Sequence, residues 1–182
     1  KSHLIIDDFL NINIEEHINS STKIVSNLPY YLSSQILLKI LPLNKNIKEV
    51  MFTFQKEVAD RIVSKPNSKN YSRLSVMVQA VCDIKKKQNL PAEIFYPVPK
   101  VNSAVLIFER KKKNLISNFK SLEEVTKLAF NKRRKSIKNS LKDVTNISNI
   151  LNQLNIEDKL RPEQISVDQF CKLANLIEKF KK

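Results

Sequence analysis

The 182-residue sequence contains no glycine, where average usage of about 7% would supply about a dozen. Glycine-rich loops, which bring backbone N–H groups against phosphates and nucleotide cofactors, are therefore absent from it. The sequence also opens at Lys1 in mid-pattern, without methionine. Together these features predict a fragment of a longer protein whose glycine-rich part is not included. Only two cysteines are present, Cys82 and Cys171. Their wide separation predicts reduced, packed thiols in a cytoplasmic protein and no structural disulfide. No apolar run approaches the ~18 residues of a membrane span, and no signal-peptide pattern is visible. The two histidines, His3 and His17, have neither ligand spacing nor a nucleophile partner, so no metal site is expected.

Acidic residues are scarce as well. Thirty-two Lys and Arg face 18 Asp and Glu, for a net charge of +14. Such an excess predicts a polyanionic partner, and it is concentrated. Residues 111–142 hold eleven basic and two acidic residues, whereas residues 143–182 are balanced. Apolar residues make up 42% of the chain, enough for a core.

Periodicity divides the chain in two. "HLIID" (3–7), "KIVSNL" (23–28) and "EVMFTF" (49–54) read as apolar strands. A helix with Ser33 and Ser34 as N-cap candidates follows the second strand, and "QKEVADRIV" (55–63) and "SRLSVMVQAV" (72–81) read as helices. "CDIKKKQNL" (82–90) and "SAVLIFER" (103–110) read as strands without a helical crossover, hence an antiparallel edge on an otherwise parallel α/β sheet. "KKKN" (111–114) is a linker candidate. Beyond it, "SLEEVTKLAFNKRRKSIKNSLKDV" reads as one helix with a capping box at Ser121 and Glu124. Ser166 and Gln169 repeat that signature before the last helix. Domains are expected at 1–112 (α/β) and 113–182 (helical, nucleic-acid-binding).

Ligands of parallel sheets bind at the carboxyl ends of the strands. Asp8 and Asn27 end the first two predicted strands there. In "NLPY" (27–30), Pro29 fixes its own φ and keeps Leu28 out of helical angles. The Leu28 carbonyl and the Asn27 side-chain oxygen are then two acceptors beside the Tyr30 ring. Two acceptors and a ring suit a flat substrate with an NH₂ group, such as adenine. The plain alternative is a turn in which Asn27 caps the next helix and Tyr30 packs. Phe95, taken alone, is a core aromatic. Arg133 falls on the apolar stripe of its predicted helix and is expected to be part-buried and paired with a carboxylate. Lys132, Arg134, Lys135 and Lys138 are the phosphate candidates, with Lys100 as a further one. Gln55, Lys56 and Glu57 lie near the crevice without an assignable role.

"FTFQKEVADRIVSKPNSKNYSRLSVMVQ", "IFYPVPKVNSAV" and "AFNKRRKSIKNSL", with "NLPY", resemble the bacterial ribosomal RNA adenine N6,N6-dimethyltransferase family in order and spacing, over nearly the whole chain. The resemblance implies a Rossmann-like, S-adenosylmethionine-dependent enzyme with a helical C-terminal domain. Its expected partner is small-subunit rRNA in the pre-ribosomal subunit, where two adjacent adenines near the 3′ end are dimethylated, and the full-length enzyme is expected to be a monomer. It implies Asp8 and Asn27 as cofactor contacts, Asn27, Leu28, Pro29 and Tyr30 as the catalytic element, and Phe95 as cover for the other face of the flipped base. The family has Gly where Ser72 and Asn155 stand here, and its glycine-rich cofactor loop precedes "HLIID". A non-catalytic RNA-binding factor of the same fold, and an N6-adenine methyltransferase of large-subunit rRNA or DNA, are the alternatives.

Overall fold

A computed structural model describes residues 3–132 and 134–180. Four strands form one sheet: β1 (Thr22–Asn27), β2 (Ile47–Gln55), β3 (Cys82–Leu90) and β4 (Ser103–Arg110). Their order is β1-β2-β4-β3. β1 and β2 run parallel, and β4 runs antiparallel to both β2 and β3. The parallel step needs a crossover, which α1 (Ser33–Lys39) supplies. The expected antiparallel edge is present and recruits β2 too, so the sheet is mixed. The central strands are the most buried: Phe52, Phe54 and Phe108 make edge-to-face pairs with centroids 6.2 and 5.9 Å apart.

Around the sheet lie α2 (Lys56–Ile62), α3 (Arg73–Val81), α4 (Phe119–Asn131), α5 (Ile137–Ser140), α6 (Ile147–Gln153) and α7 (Val167–Phe180). The helical region beyond residue 113 shares one continuous core with the sheet layer. Phe130 stacks on Phe170 at 5.6 Å and meets Tyr71 edge-on at 6.4 Å. The Tyr71 hydroxyl donates to the Ile165 carbonyl at 3.0 Å. The expected boundary at 112/113 is thus a change of architecture across which packing continues.

Four local expectations are corrected. Residues 3–7 form no strand; Leu4 and Ile6 are 86% and 91% exposed. An apolar run becomes a strand only where a neighbour takes its backbone hydrogen bonds, and no strand among the described residues pairs with this one. The basic helix is broken: α4 ends at Asn131 and α5 begins at Ile137. Arg134 turns the chain at a φ of 74°, and the Ile137 N–H donates to the Leu160 carbonyl at 2.7 Å. Tertiary bonding and burial of Ile137 set a new axis there. Arg133 lies outside the described residues. The N-cap of α4 is Asn118, which accepts from the Lys120 N–H at 3.0 Å; Ser121 sits inside the helix and donates to the Ala174 carbonyl at 3.1 Å. Ser33 likewise starts α1 without capping it.

Other signatures hold. Ser166 and Gln169 form the expected reciprocal cap of α7, at 3.0 and 3.2 Å. Cys82 and Cys171 are free and buried, and burial pushes both thiols up to about 12. Ser72 is extended (φ −155°) and caps α3 together with Ser75, so that position needs no glycine here. Asn155 is left-handed at φ 51°. Its N–H donates to Asn152 O at 3.0 Å, and the Ile156 N–H donates to Leu151 O at 2.9 Å. That is a Schellman closure of α6, with buried Ile156 and Leu151 as its apolar contact. Asn155→Val is expected to lower stability by about 1–2 kcal/mol, because a branched Cβ clashes in the left-handed region. Asn155→Gly is expected to match or exceed wild type; equal urea midpoints for all three proteins would show that this turn does not limit stability.

Candidate active site

The carboxyl end of β1 stops being strand where Pro29 enters. The Pro29 carbonyl accepts from the Leu32 N–H at 3.0 Å, and the Tyr30 carbonyl accepts from Ser33 Oγ at 2.9 Å. This turn feeds α1, whose N-cap is Leu32 with no side-chain cap bond. Asn27 is therefore not the cap of α1. It is exposed, and among the described residues its side-chain amide bonds to no protein group, nor does any protein donor reach the Leu28 carbonyl. Two acceptors on adjacent residues are thus left open at the strand end, where Pro29 disfavours helical angles at Leu28.

Tyr30 is held by a distant partner. Its hydroxyl lies 2.7 Å from Ser103 Oγ, at the first residue of β4. Ser103 pairs with Gln55 of β2 and with Leu90 of β3, while Asn27 pairs with Thr53. The ends of all four strands therefore meet at one side of the sheet. The 91–102 loop, which carries Phe95 and Lys100, leaves Leu90 and returns at Ser103, so both its ends are anchored there. Phe95 is half-buried and Lys100 is exposed. Asn102 fixes the loop twice: its side-chain oxygen accepts from the Ala92 N–H at 3.1 Å and its carbonyl accepts from the Lys56 N–H at 2.8 Å.

Beside this junction a cleft of about 400 Å³ is lined by Gln55, Lys56, Asp60 and Asn102, among others. The Lys56 ammonium, 2.5 Å from Asp60, holds that carboxyl below the usual carboxylate range, with Lys86 at 2.9 Å adding to the effect and partial burial opposing it. The cleft is therefore charged but internally compensated.

Other predicted residues lie elsewhere. Asp8 forms a local turn: its Oδ1 accepts from the Leu10 N–H at 2.9 Å and its carbonyl from Asn11 at 2.8 Å. The Leu10 carbonyl accepts from Lys39, which ties the turn to the last residue of α1, whereas Asn27–Tyr30 precedes the first. Lys132, Arg134 and Lys135 sit in the exposed α4–α5 connection. Lys138 pairs with Asp158 at 2.6 Å. Sequence reasoning missed Ser103 and Asn102; the signal was the polar pair in "KVNSAV", set directly before a buried strand.

The Tyr30–Ser103 bond sets a test. Ser103 is fully buried, so Tyr30→Phe leaves its hydroxyl unpaired and is expected to cost about 1–3 kcal/mol. Adding Ser103→Ala is expected to restore much of that loss in urea unfolding; additive losses would show that the two hydroxyls do not act as a pair.

A family profile described as Ribosomal RNA adenine dimethylase matches residues 1–179. The Ribosomal RNA small subunit methyltransferase A of Ehrlichia canis (strain Jake) is 42% identical over 179 residues, covering 97% of this chain and 68% of that protein. Its namesake in Francisella tularensis subsp. novicida (strain U112) is 42% identical over 180 residues, covering 96% and 69%. The chain thus spans about two thirds of the length of these relatives. The crystal structure of a dimethyladenosine transferase from Plasmodium falciparum superposes with a TM-score of 0.74 at 25% identity, covering 87% of this chain and 66% of that one. The 23S rRNA methyltransferase ErmE, at 21% identity and TM-score 0.66 over 94% of this chain and 70% of its own, shares the fold.

Proposed function

The chain belongs to the ribosomal RNA adenine dimethylase family, and from that premise we propose that it serves S-adenosylmethionine-dependent dimethylation of adjacent adenines in small-subunit rRNA. The observation that carries this is the pair of open acceptors, the Asn27 amide oxygen and the Leu28 carbonyl, at the carboxyl end of β1. The exocyclic nitrogen of adenine is a poor nucleophile because its lone pair is delocalised into the ring. Accepting both of its N–H hydrogens favours a more tetrahedral nitrogen and returns the lone pair for attack. After one methylation a single N–H remains, and one of the two acceptors still orients it. Tyr30, held by Ser103, lies against one face of the extruded base, and Phe95 covers the other.

The residues present fit the cofactor in part. Asp8 is exposed and keeps its second carboxylate oxygen clear of protein donors among the described residues. Asn27 would contact the cofactor at the strand end, and Asp8, whose turn is tied to the far end of α1, would reach it only from there; the cofactor supplies the electrophilic methyl group when bound. No glycine is present to cradle it. Lys132, Arg134 and Lys135 neutralise rRNA phosphates, with Lys100 beside the target. Lys138 contributes less because Asp158 already compensates it. The setting is the pre-ribosomal small subunit in the cytoplasm, engaged by a monomer. Buried thiols and the basic surface are consistent with that setting.

Two outcomes are expected. In a methylation-competent preparation, Asn27→Ala abolishes methyl transfer to small-subunit rRNA and leaves RNA binding intact, since no cation is touched; turnover within a few-fold of wild type would remove Asn27 from the chemistry. Replacing Arg134 and Lys135 with Ala reduces the log–log salt slope of RNA binding by roughly 0.7–0.9 per lost contact, and Lys138→Ala reduces it by less. Equal slopes across these variants would make the connection a solvated surface only.

A further inference from the structure

Of the large apolar side chains exposed to solvent, four lie in one loop beside the candidate site, apart from those at residues 4–6, Val25, Leu128 and Phe180. Ile94, Tyr96, Val98 and Val101, all within the 91–102 loop, are 60%, 100%, 62% and 43% exposed, and Tyr31, on the turn after β1, is 80% exposed. The two tyrosines hold corresponding positions. Tyr31 follows Tyr30 and Tyr96 follows Phe95, the two rings assigned to the faces of the target base. Neighbouring Cα atoms are about 3.8 Å apart, so each exposed ring stands one residue outside the proposed base site. Neither ring adds to the core or pairs with another ring among the described residues. A fully solvated tyrosine gains nothing from folding, and an exposed apolar patch of this kind marks an interaction surface.

The setting points to the partner. The two rings flank the proposed base site, the loop itself balances Lys100 with Glu93, and the chain as a whole carries a net +14. Exposed rings beside cations are the platform on which single-stranded nucleic acids stack their bases. We propose that Tyr96 and Tyr31 stack on the unpaired nucleotides flanking the target adenine, so that the protein takes its RNA as a single-stranded segment with splayed bases. This rests on the assignment of the target base to Asn27–Tyr30, and it adds a specificity-determining pair outside that site.

The test uses a short single-stranded RNA with two adjacent adenines and a flanking 2-aminopurine. Wild-type protein is expected to quench the 2-aminopurine on binding. Tyr96→Ala is expected to lose the quench and weaken binding by roughly 5- to 150-fold, whereas Tyr96→Phe keeps both. The salt slope is expected to be the same in all three, because the ring carries no charge. Full exposure of Tyr96 means that Tyr96→Ala should melt with wild type, separating stacking from folding. Tyr96→Ala binding as tightly as wild type, with the quench intact, overturns the platform while leaving the methyltransferase assignment standing. Loss of self-association in Tyr96→Ala, with RNA affinity unchanged, makes the loop a protein interface and also overturns it. Absence of RNA binding by wild-type protein overturns both this proposal and the function on which it rests.

Discussion

The hydrogen bond between the Tyr30 hydroxyl and Ser103 Oγ joins segments seventy-three residues apart, and the organisation of the site depends on it. Ser103 is the hinge of that arrangement because it ends a loop, begins a strand and pairs on both sides. A rigid sheet end thereby positions a turn from one crossover and a loop from another. The "NLPY" turn needs such an external anchor. Pro29 removes a backbone donor and keeps Leu28 extended, which opens the acceptors but leaves the turn with fewer internal bonds.

The same economy appears in how polar groups are shared out. Ionic pairs such as Lys56–Asp60, Lys85–Glu109 and Lys111–Asp83 compensate charge near the sheet. They are solvent-screened and contribute little to stability. The core does that work, through Phe52, Phe54, Phe108 and the Tyr71–Phe130–Phe170 cluster. Uncompensated cations are left where a polyanion can reach them, in the α4–α5 connection and in the loop beside the site. The cation-bearing α4–α5 connection and the turn at the end of β1 are thus separate parts of one fold, and a change in one need not disturb the other.

Glycine is replaced by more than one device. At Asn155 the backbone does adopt the left-handed conformation, and the asparagine tolerates it while its neighbours close the Schellman bonds. At Ser72 the backbone is extended at the N-cap of α3, and its N–H donates to Ser75 Oγ at 3.0 Å instead. A chain without glycine can therefore keep sharp helix ends, provided that each position is solved separately.

Sequence alone determined whatever depends on neighbours along the chain. The spans 82–90 and 103–110 are strands to the residue, and the predicted helices 55–63 and 72–81 are helical over Lys56–Ile62 and Arg73–Val81, Gln55 closing β2 and Ser72 standing at the N-cap. The Ser166–Gln169 cap was legible for the same reason: capping geometry is set within a few residues. The acceptors of "NLPY" were legible because Pro29 acts on the residue next to it. Tertiary structure decided the rest. "HLIID" has a strand's composition but finds no partner among the described residues, and pairing is not written in one strand. The basic segment has helical periodicity across 131–137, yet the Leu160 carbonyl and the burial of Ile137 turn it aside. Ser103 as the anchor of Tyr30, the Lys138–Asp158 pair and the exposure of Tyr96 are relations between distant segments. Each depends on which surfaces the core brings together, and local propensity carries no record of that.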